Sequence, residues 1–349
     1  MDGNFVGLQN FHEYFQTPAL LTSITNSLSV AFFSAIIVLV LAFIYAYALT
    51  RTQMPFRLFF RGVALIPILA PSLLAAISLI YWFGTQGVLK SWLFGASIYG
   101  PIGVIMASCF WVFPHALMIL ITALSTADAR LYEAAEALRT PKWRIFWTVT
   151  LPGAKYGILS TGFIVFTLVI TDFGVPKVIG GNFNVLATDV YKQVVGQQNF
   201  EMGAVVSLVL LLPAVAAFIA DRWVQSKQVA LLSARAVPFQ PKSEPLRDWL
   251  LFGFCTTIAF IFLAMLGMAA YASFVTFWPY NLTLSLNNYD FDLMDGGGWE
   301  AYFNSIRMAI YCAVFGSGLI FFGSYLVEKA RGVSWLRTIL HLIAMMPLA

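Results

Sequence analysis

The sequence contains little charge. Only 10% of its 349 residues are Asp, Glu, Lys or Arg, whereas soluble domains carry about 25%. Hydrophobic residues make up 60% of the chain, and the mean hydropathy is +0.81. This composition excludes an ordinary water-soluble domain. It predicts an all-α polytopic membrane protein, whose length reflects its number of membrane spans.

Cysteine and histidine are also scarce, with three of each. Cys109, Cys255 and Cys312 lie in apolar stretches without C-x-x-C neighbours, which predicts small buried hydrophobes rather than disulfides or metal ligands. The histidines are too scattered for a shared metal site. No Walker A pattern (G-x4-G-K-[ST]) occurs, which excludes a P-loop ATPase. We therefore expect no metal, no cofactor, no nucleic-acid partner and no enzymatic activity in this chain.

Apolar runs long enough to cross the ~30 Å hydrocarbon core recur along the chain. We predict seven spans and the beginning of an eighth, at 26–50, 62–83, 102–124, 157–170, 202–220, 250–274, 304–327 and from 336 onward. The segment 171–200 between the fourth and fifth spans is predicted to be mixed and Gly-rich, and 275–303 to be a polar loop.

The positive charges indicate the orientation of these spans. If the loop after the third span is cytoplasmic, 16 of the 20 Lys and Arg residues lie on that side. This asymmetry agrees with the positive-inside rule. The N-terminal segment 1–25 is then predicted to be outside the cytoplasm, together with the acidic loop before the seventh span.

The loop at 128–152 is the longest polar and charged run in the first 220 residues. Its first part, 128–138, contains good helix formers. The apolar residues Leu131, Ala134, Ala135 and Leu138 are spaced to form one stripe on a short helix. Pro141 is predicted to stop or bend that helix. A second amphipathic piece follows at 143–149, and Pro152 is predicted to close the unit.

The spacing in this loop resembles the EAA loop of permease subunits of ATP-binding-cassette (ABC) importers. The family pattern is E-A-A, three residues, Gly, nine residues, then I-x-L-P. The matching residues are Glu133, Ala134, Ala135, Val149, Leu151 and Pro152, with Val149 standing for Ile. Arg139 occupies the Gly position, a departure that puts the tight turn and the fine fit to the ATPase in doubt.

The resemblance implies how the protein would work. In the family this loop is a coupling helix that docks into a separate cytoplasmic ATPase dimer, and a periplasmic binding protein delivers the substrate. We expect the MetI-like transmembrane fold and a location in the bacterial inner membrane with its lipids. The residues implied in ATPase coupling are Glu133, Ala134, Ala135, Leu138, Arg139, Val149, Leu151 and Pro152.

The chain also repeats itself weakly. Asn26 and Ser27 pair with Asn304 and Ser305 at a constant offset of 278 residues, and other pairs share this offset. Both copies have the same predicted orientation, so the repeat is parallel. We expect a first permease half at 26–220, a linker at 221–249 and the start of a second half at 250–349. On this interpretation the chain is a fragment of a protein about twice the repeat offset in length. One span is missing before its start, and most of the second half is missing after its end.

The substrate path is predicted after the fourth span. Irregular, Gly-rich backbone at membrane depth survives only where it lines a cavity or is buried in protein. We expect Asp172, which is costly there unless paired, to have Lys177 as a partner. An ordinary periplasmic loop is the alternative. The candidate path residues are Thr171, Asp172, Gly174, Lys177 and Asn182.

Two permease halves in one chain resemble the iron(III)- and 2-aminoethylphosphonate-type ABC importers. The run 171–204 and the run that follows the EAA residues resemble the phosphonate permeases more closely. An organophosphonate is therefore the expected substrate, with ferric ion as the alternative. An ion-coupled secondary transporter is a more remote alternative, because it would need ionisable residues in mid-span. A membrane-embedded enzyme is disfavoured by the lack of paired carboxylates, His clusters or a nucleophile motif.

Overall fold

The computed structural model of the chain describes residues 7–229, 237, 239–291, 297–329, 335 and 339. Residues up to Met268 form one compact unit and Ala269–Pro347 form a second one. The predicted eighth span, from 336 onward, lies outside the continuously described residues.

The first unit begins with a short helix and a long one. Helix α1 covers Gln9–Gln16, and α2 covers Pro18–Arg51. Pro18 occupies the first turn of α2, where the missing N–H costs nothing. The helix is 34 residues long and more apolar than any other described span. The predicted first span at 26–50 lies inside it.

The predicted second span is not one straight helix. Helix α3 (Arg57–Leu65) continues into a 3-10 turn (Ile66–Leu69), and α4 (Ser72–Phe83) leaves the break at an angle of 102°. Pro67 and Pro71 lie in this break, where each removes a backbone donor. The expectation of a single span at 62–83 is corrected to a bent helix pair.

The third span, α5, covers Pro101–Ser125 and contains Pro114. Helix α6 covers Ala129–Ala137, and α7 covers Lys142–Ile145. A π-helical turn at Phe146–Thr150 joins α7 to α8, Leu151–Ile170.

The fourth span therefore begins earlier than predicted. Helical structure is continuous from Lys142 to Ile170, and Pro152 lies within it instead of closing the unit. A proline inside a helix leaves a carbonyl without its usual donor. The wider π turn before Pro152 relaxes this conflict, because the N–H of Leu151 donates to the carbonyl of Phe146, five residues back.

The predicted irregular segment 171–200 is also largely helical. Helix α9 covers Gly174–Ile179 and α10 covers Leu186–Tyr191, which continues into a π turn at Lys192–Gly196. Helix α11 then covers Phe200–Val229. It therefore extends the predicted fifth span into the first part of the predicted linker.

Helices α2, α5, α8 and α11 pack together as the core of the first unit. Small residues make this close packing possible, as in other membrane helix bundles. On α2 the buried small residues Ala31, Ala35, Ala42 and Ala46 follow one face. Helix α12 (Pro245–Phe274) adds to this core through Phe262, whose ring lies 4.9 Å from Phe110 and 5.1 Å from Phe113.

The second unit contains a hairpin that the sequence analysis did not predict. Strands β1 (Val275–Phe277) and β2 (Asn281–Leu284) are antiparallel, with Val275 opposite Leu284. After a 3-10 turn at Asn287–Tyr289, helix α13 covers Gly298–Tyr311. A π turn at Cys312–Gly316 leads into α14, Ser317–Lys329.

Within the described residues, six helices are long and apolar enough to cross a membrane, or seven if the bent pair counts as one span. The predicted all-α polytopic fold is therefore confirmed. The cysteine prediction holds only in part: Cys255 is buried, Cys109 is half-buried and Cys312 is exposed.

Candidate coupling helix and substrate path

Helix α6 forms where the sequence predicts it, with Asp128 as its N-cap. The carboxylate oxygen Oδ1 of Asp128 accepts a hydrogen bond of 3.1 Å from the N–H of Arg130. Such a cap satisfies a backbone donor that the helix itself cannot. The start of α6 is therefore fixed directly after the end of α5.

The other end of α6 closes in a Schellman motif. The N–H of Arg139 donates to the carbonyl of Glu136 (2.8 Å), and the N–H of Thr140 donates to the carbonyl of Ala135 (3.0 Å). This pattern requires a left-handed residue at Arg139, whose φ is +53°. The tight turn therefore forms although Arg139 stands where the family has Gly.

Arg139→Gly is expected to stabilise this turn. Glycine adopts positive φ freely, whereas an L-residue with a side chain loses about 1–2 kcal/mol there. Hydrogen exchange at the amides of residues 139 and 140 should slow by roughly fivefold, which corresponds to about 1 kcal/mol. Arg130→Gly, in the first turn of the same helix and at helical φ, is the matched control and should not slow exchange at these amides, because glycine relieves no strain there. Faster exchange in the Arg139→Gly protein would contradict the strain argument.

The two faces of α6 differ. Ala129 and Tyr132 are buried, and the Tyr132 hydroxyl donates to Oγ1 of Thr150 at 3.1 Å. The predicted apolar stripe lies on the other side. There Leu131 is 58% exposed and Leu138 is 80% exposed.

The remaining predicted coupling residues are divided between surface and interior. Glu133, Ala134 and Arg139 are exposed, and Ala135 is half-buried. Val149 and Leu151, on the helical segment that follows, are partly buried, and Pro152 is exposed. The structure thus brings the stripe together on one surface and places the I-x-L-P residues at the base of α8.

The predicted substrate-path segment contains a site where the starts of α4 and α9 meet. Oδ1 of Asp172 accepts a hydrogen bond of 3.0 Å from the Ser72 hydroxyl, at the start of α4. The same carboxylate accepts from the N–H groups of Gly174 (3.3 Å) and Val175 (3.1 Å), which open α9. Asp172 thus caps α9 and joins it to α4.

Gly174 permits this close approach. A Cβ at that position would lie 2.7 Å from Oγ of Ser72 and 3.2 Å from Cγ of Leu73. Neither distance is compatible with an unmoved side chain. Gly174 therefore permits the close contact between α9 and the bent helix pair.

The expected pair between Lys177 and Asp172 is wrong. The Lys177 ammonium lies 4.2 Å from the ring centroid of Tyr191, a cation–π contact. The Thr171 hydroxyl donates to the carbonyl of Thr167 at 2.9 Å, and Asn182 is exposed. Asp172 and Gly174 are thus brought into one cluster with Ser72.

Residues of the first span hold the rest of this segment. The Asn26 side chain donates to the carbonyl of Asn184 (2.9 Å), and the Ser27 hydroxyl accepts from the N–H of Leu186 (2.8 Å). These are the polar residues that define the internal repeat. Their role in the first copy is to bind backbone that would otherwise be unsatisfied.

A family comparison covers both of these sites. The pattern of the family described as "Binding-protein-dependent transport system inner membrane component" matches residues 39–229. This range includes α6 and the Asp172 cluster, which consists of Ser72, Asp172, Gly174 and Val175. The chain belongs to this family. The chain is thus a multi-pass inner-membrane component, as its apolar helices require.

Relatives of this transport component include proteins named for several substrates. The putative ferric transport system permease protein FbpB 1 of Haemophilus influenzae is 27% identical over 348 residues, covering 94% of this chain and 54% of that protein. The ferric transport system permease protein FbpB of Actinobacillus pleuropneumoniae is 27% identical, covering 82% and 44%. The molybdenum transport system permease protein ModB of Mycobacterium tuberculosis is 27% identical, covering 58% and 78%. The chain spans about half the length of the two ferric relatives.

The fold of this component also resembles a solved structure. A crystal structure of a bacterial ABC transporter involved in the import of the acidic polysaccharide alginate superimposes with a TM-score of 0.50 at 14% identity. The superposition covers 66% of this chain and 86% of the other. At this identity the likeness concerns the fold alone, and it agrees with the predicted MetI-like architecture.

One residue of this component was missed by sequence reasoning. Arg51 was counted only as a cytoplasmic charge, yet it is 3% exposed. Its Nη2 donates to the carbonyl of Leu124 at the end of α5 (2.7 Å), and its guanidinium carbon lies 5.0 Å from the Tyr132 ring centroid. Nothing in the local sequence distinguishes Arg51 from its exposed neighbours Arg57 and Arg61, because distant residues bury it.

Proposed function

We propose that this chain is the first half, and part of the second, of an ABC importer permease. Separate cytoplasmic ATPase subunits would grip α6 and drive the substrate through the membrane. The observation that carries this proposal is the exposed apolar stripe of α6. Exposed leucines between charged residues on a short, capped helix are typical of a protein-binding surface.

The structure of α6 suits the role of a lever. A lever must be stiff and joined firmly to what it moves. Asp128 fixes one end of α6, the Schellman motif fixes the other, and Tyr132 is hydrogen bonded to Thr150 at the base of α8. A displacement of α6 by an ATPase subunit would therefore move the ends of α5 and α8.

The Asp172 cluster is proposed as part of the gate along the substrate path. It joins the break between α3 and α4 to the start of α9, so these two irregular segments would move as one. The N-terminal segment 1–25 and α9 would then lie on the periplasmic side, where a binding protein delivers the substrate. Lys177 and Asn182 would face that side.

Ferric ion is the proposed substrate. The relatives that cover most of this chain are named as ferric transport permeases. Among the described residues no group of three or more His, Cys, Asp or Glu side chains is arranged to hold a metal ion. Recognition of the ion is accordingly assigned to the binding protein, and passage to the permease.

An organophosphonate is the second candidate substrate. The exposed Lys177 ammonium, which contacts the Tyr191 ring, could bind an anionic substrate. Asp172 does not compete for it, because its carboxylate accepts hydrogen bonds from Ser72 and from backbone N–H groups. A proton-coupled mechanism is less favoured. Of the buried charged residues that the structure describes, Arg51, Asp221 and Asp248 lie near the ends of spans, and Asp189 lies on the short helix α10.

Reconstitution tests this proposal. The full-length permease would be placed in proteoliposomes with its ATPase subunits and binding protein, and uptake of ferric ion and of 2-aminoethylphosphonate would be compared. We expect uptake of ferric ion that requires both ATP and the ATPase subunits. Uptake driven by a proton gradient without the ATPase would overturn the ABC assignment. ATP-dependent uptake of the phosphonate alone would overturn only the substrate.

A further inference from the structure

A segment of the predicted linker lies across α6. It consists of Val237 and residues 239–244, and is here called the strap. The N–H of Ala129 donates to the carbonyl of Val237 (2.9 Å), and the N–H of Val237 donates to Oδ1 of Asp128 (3.4 Å). The carboxylate that caps α6 therefore also binds the strap.

Phe239 of the strap covers the buried arginine. Its ring centroid lies 4.4 Å from the guanidinium carbon of Arg51 and 4.6 Å from the ring centroid of Tyr132. A buried guanidinium is costly unless something compensates its charge. None of the ion pairs among the described residues includes Arg51, so the carbonyl of Leu124 and the two aromatic rings perform this role.

Two surface ion pairs join the strap to α6 and α7. Lys242 is paired with Glu136 on α6, and Lys142 at the start of α7 is paired with Glu244 (2.7 Å). The Lys242 ammonium donates a hydrogen bond to the Glu136 carboxylate, and this bond raises the pKa of Lys242. Exposed ion pairs contribute little to stability. One pair lies before the turn between α6 and α7 and the other lies after it, so together they fix the position of the strap along these two helices.

The far end of the strap is fixed to Gln53, two residues after the end of α2, and to α12. The Gln53 side chain donates to the carbonyl of Pro241 (2.7 Å), and the N–H of Gln53 donates to Oδ2 of Asp248 on α12 (3.3 Å). Arg247 of α12 is paired with Glu244 (3.0 Å). A continuous set of contacts thus runs from α6 through the strap to the first turn of the next span.

We propose that the strap positions the coupling helix and transmits its displacement to α12, the first span of the predicted second half. Phe239 is the central positioning residue, because it contacts both Tyr132 of the coupling helix and Arg51. This inference rests on the proposed function for its transport consequence. The strap's hold on α6 does not depend on that function.

Replacing Phe239 with leucine tests the strap while keeping an apolar side chain for folding. Leucine cannot supply the aromatic face to Arg51, so hydrogen exchange at residues 129–137 should accelerate about fivefold or more in the full-length protein. Phe239→Tyr, which keeps the ring, should restore the wild-type rate. Gln240→Ala, at an exposed neighbouring position, is the control and should change nothing. Unchanged exchange in the Phe239→Leu protein would overturn the strap's hold on α6.

The transport consequence is measured separately as ferric ion imported per ATP hydrolysed in proteoliposomes. We expect this ratio to fall about fivefold or more in the Phe239→Leu protein and to recover with tyrosine. Accelerated exchange with an unchanged ratio would overturn the transmission to α12 and leave the positioning intact. If wild-type protein needs no ATPase for uptake, the proposed function fails, and the exchange result still decides whether the strap holds α6.

Discussion

Uptake is expected to be lost in an Ala135→Trp protein that still inserts into the membrane. Ala135 is half-buried in the middle of the α6 stripe, between Leu131 and Leu138. If an ATPase cleft closes over this stripe, an indole at its centre would separate the two surfaces. Overpacking a close contact costs about 1–3 kcal/mol, and interface centres are the most sensitive positions. We expect ATP-dependent uptake to fall by at least about tenfold, which corresponds to 1.4 kcal/mol or more.

Ala137→Trp is the matched control for this prediction. Ala137 is exposed on the same helix, about 200° around the axis from Ala135. It introduces the same side chain outside the centre of the stripe, about 60° beyond the edge residue Ala134, and should retain more of the uptake than Ala135→Trp. Co-purification of the ATPase subunits would be measured for both proteins. Normal ATPase association and uptake in the Ala135→Trp protein would show that the stripe is not the docking surface.

The course of α6 could be predicted from sequence because its determinants are local. The helix formers, the cap at Asp128 and the apolar spacing all lie within a dozen residues, and the observed helix agrees with them. The consequence of Arg139 could not be predicted, since it depends on whether the Schellman hydrogen bonds outweigh the cost of positive φ. The structure shows that they do.

The bent helix pair and the Asp172 cluster were beyond local sequence patterns. Pro67 and Pro71 mark a weak point, but prolines in membrane helices cause anything from a mild kink to a full break. The outcome here depends on Asp172, which meets Ser72 across 100 residues of sequence. The strap was missed for the same reason. A basic, Pro-containing segment is typical of a linker, and only its distant partners Arg51 and Tyr132 give it a structural role.

Gly157→Ala is expected to destabilise the protein, although alanine is the better helix former. A Cβ on Gly157 of α8 would lie 2.3 Å from Cβ of Ala123 on α5. The two helices would have to separate by more than 1 Å to reach ordinary contact distance. Overpacking costs about 1–3 kcal/mol, while the gain in helix propensity is about 0.8–1 kcal/mol. The clash therefore outweighs the gain, and Gly157→Leu should be worse.

Two further variants make this prediction specific to the crossing of α5 and α8. Gly162→Ala, on the same helix with nothing within 4 Å of its Cβ, should leave the melting temperature in detergent unchanged or raise it. Ala123→Gly combined with Gly157→Ala removes one methyl and adds the other, so the pair should recover most of the loss, as expected for residues in direct contact. Equal melting temperatures for Gly157→Ala and Gly162→Ala would mean that α5 and α8 do not depend on this contact. Thr150, directly before α8, holds Tyr132. A shifted crossing would therefore also loosen α6, so uptake in the Gly157→Ala protein should fall together with its stability.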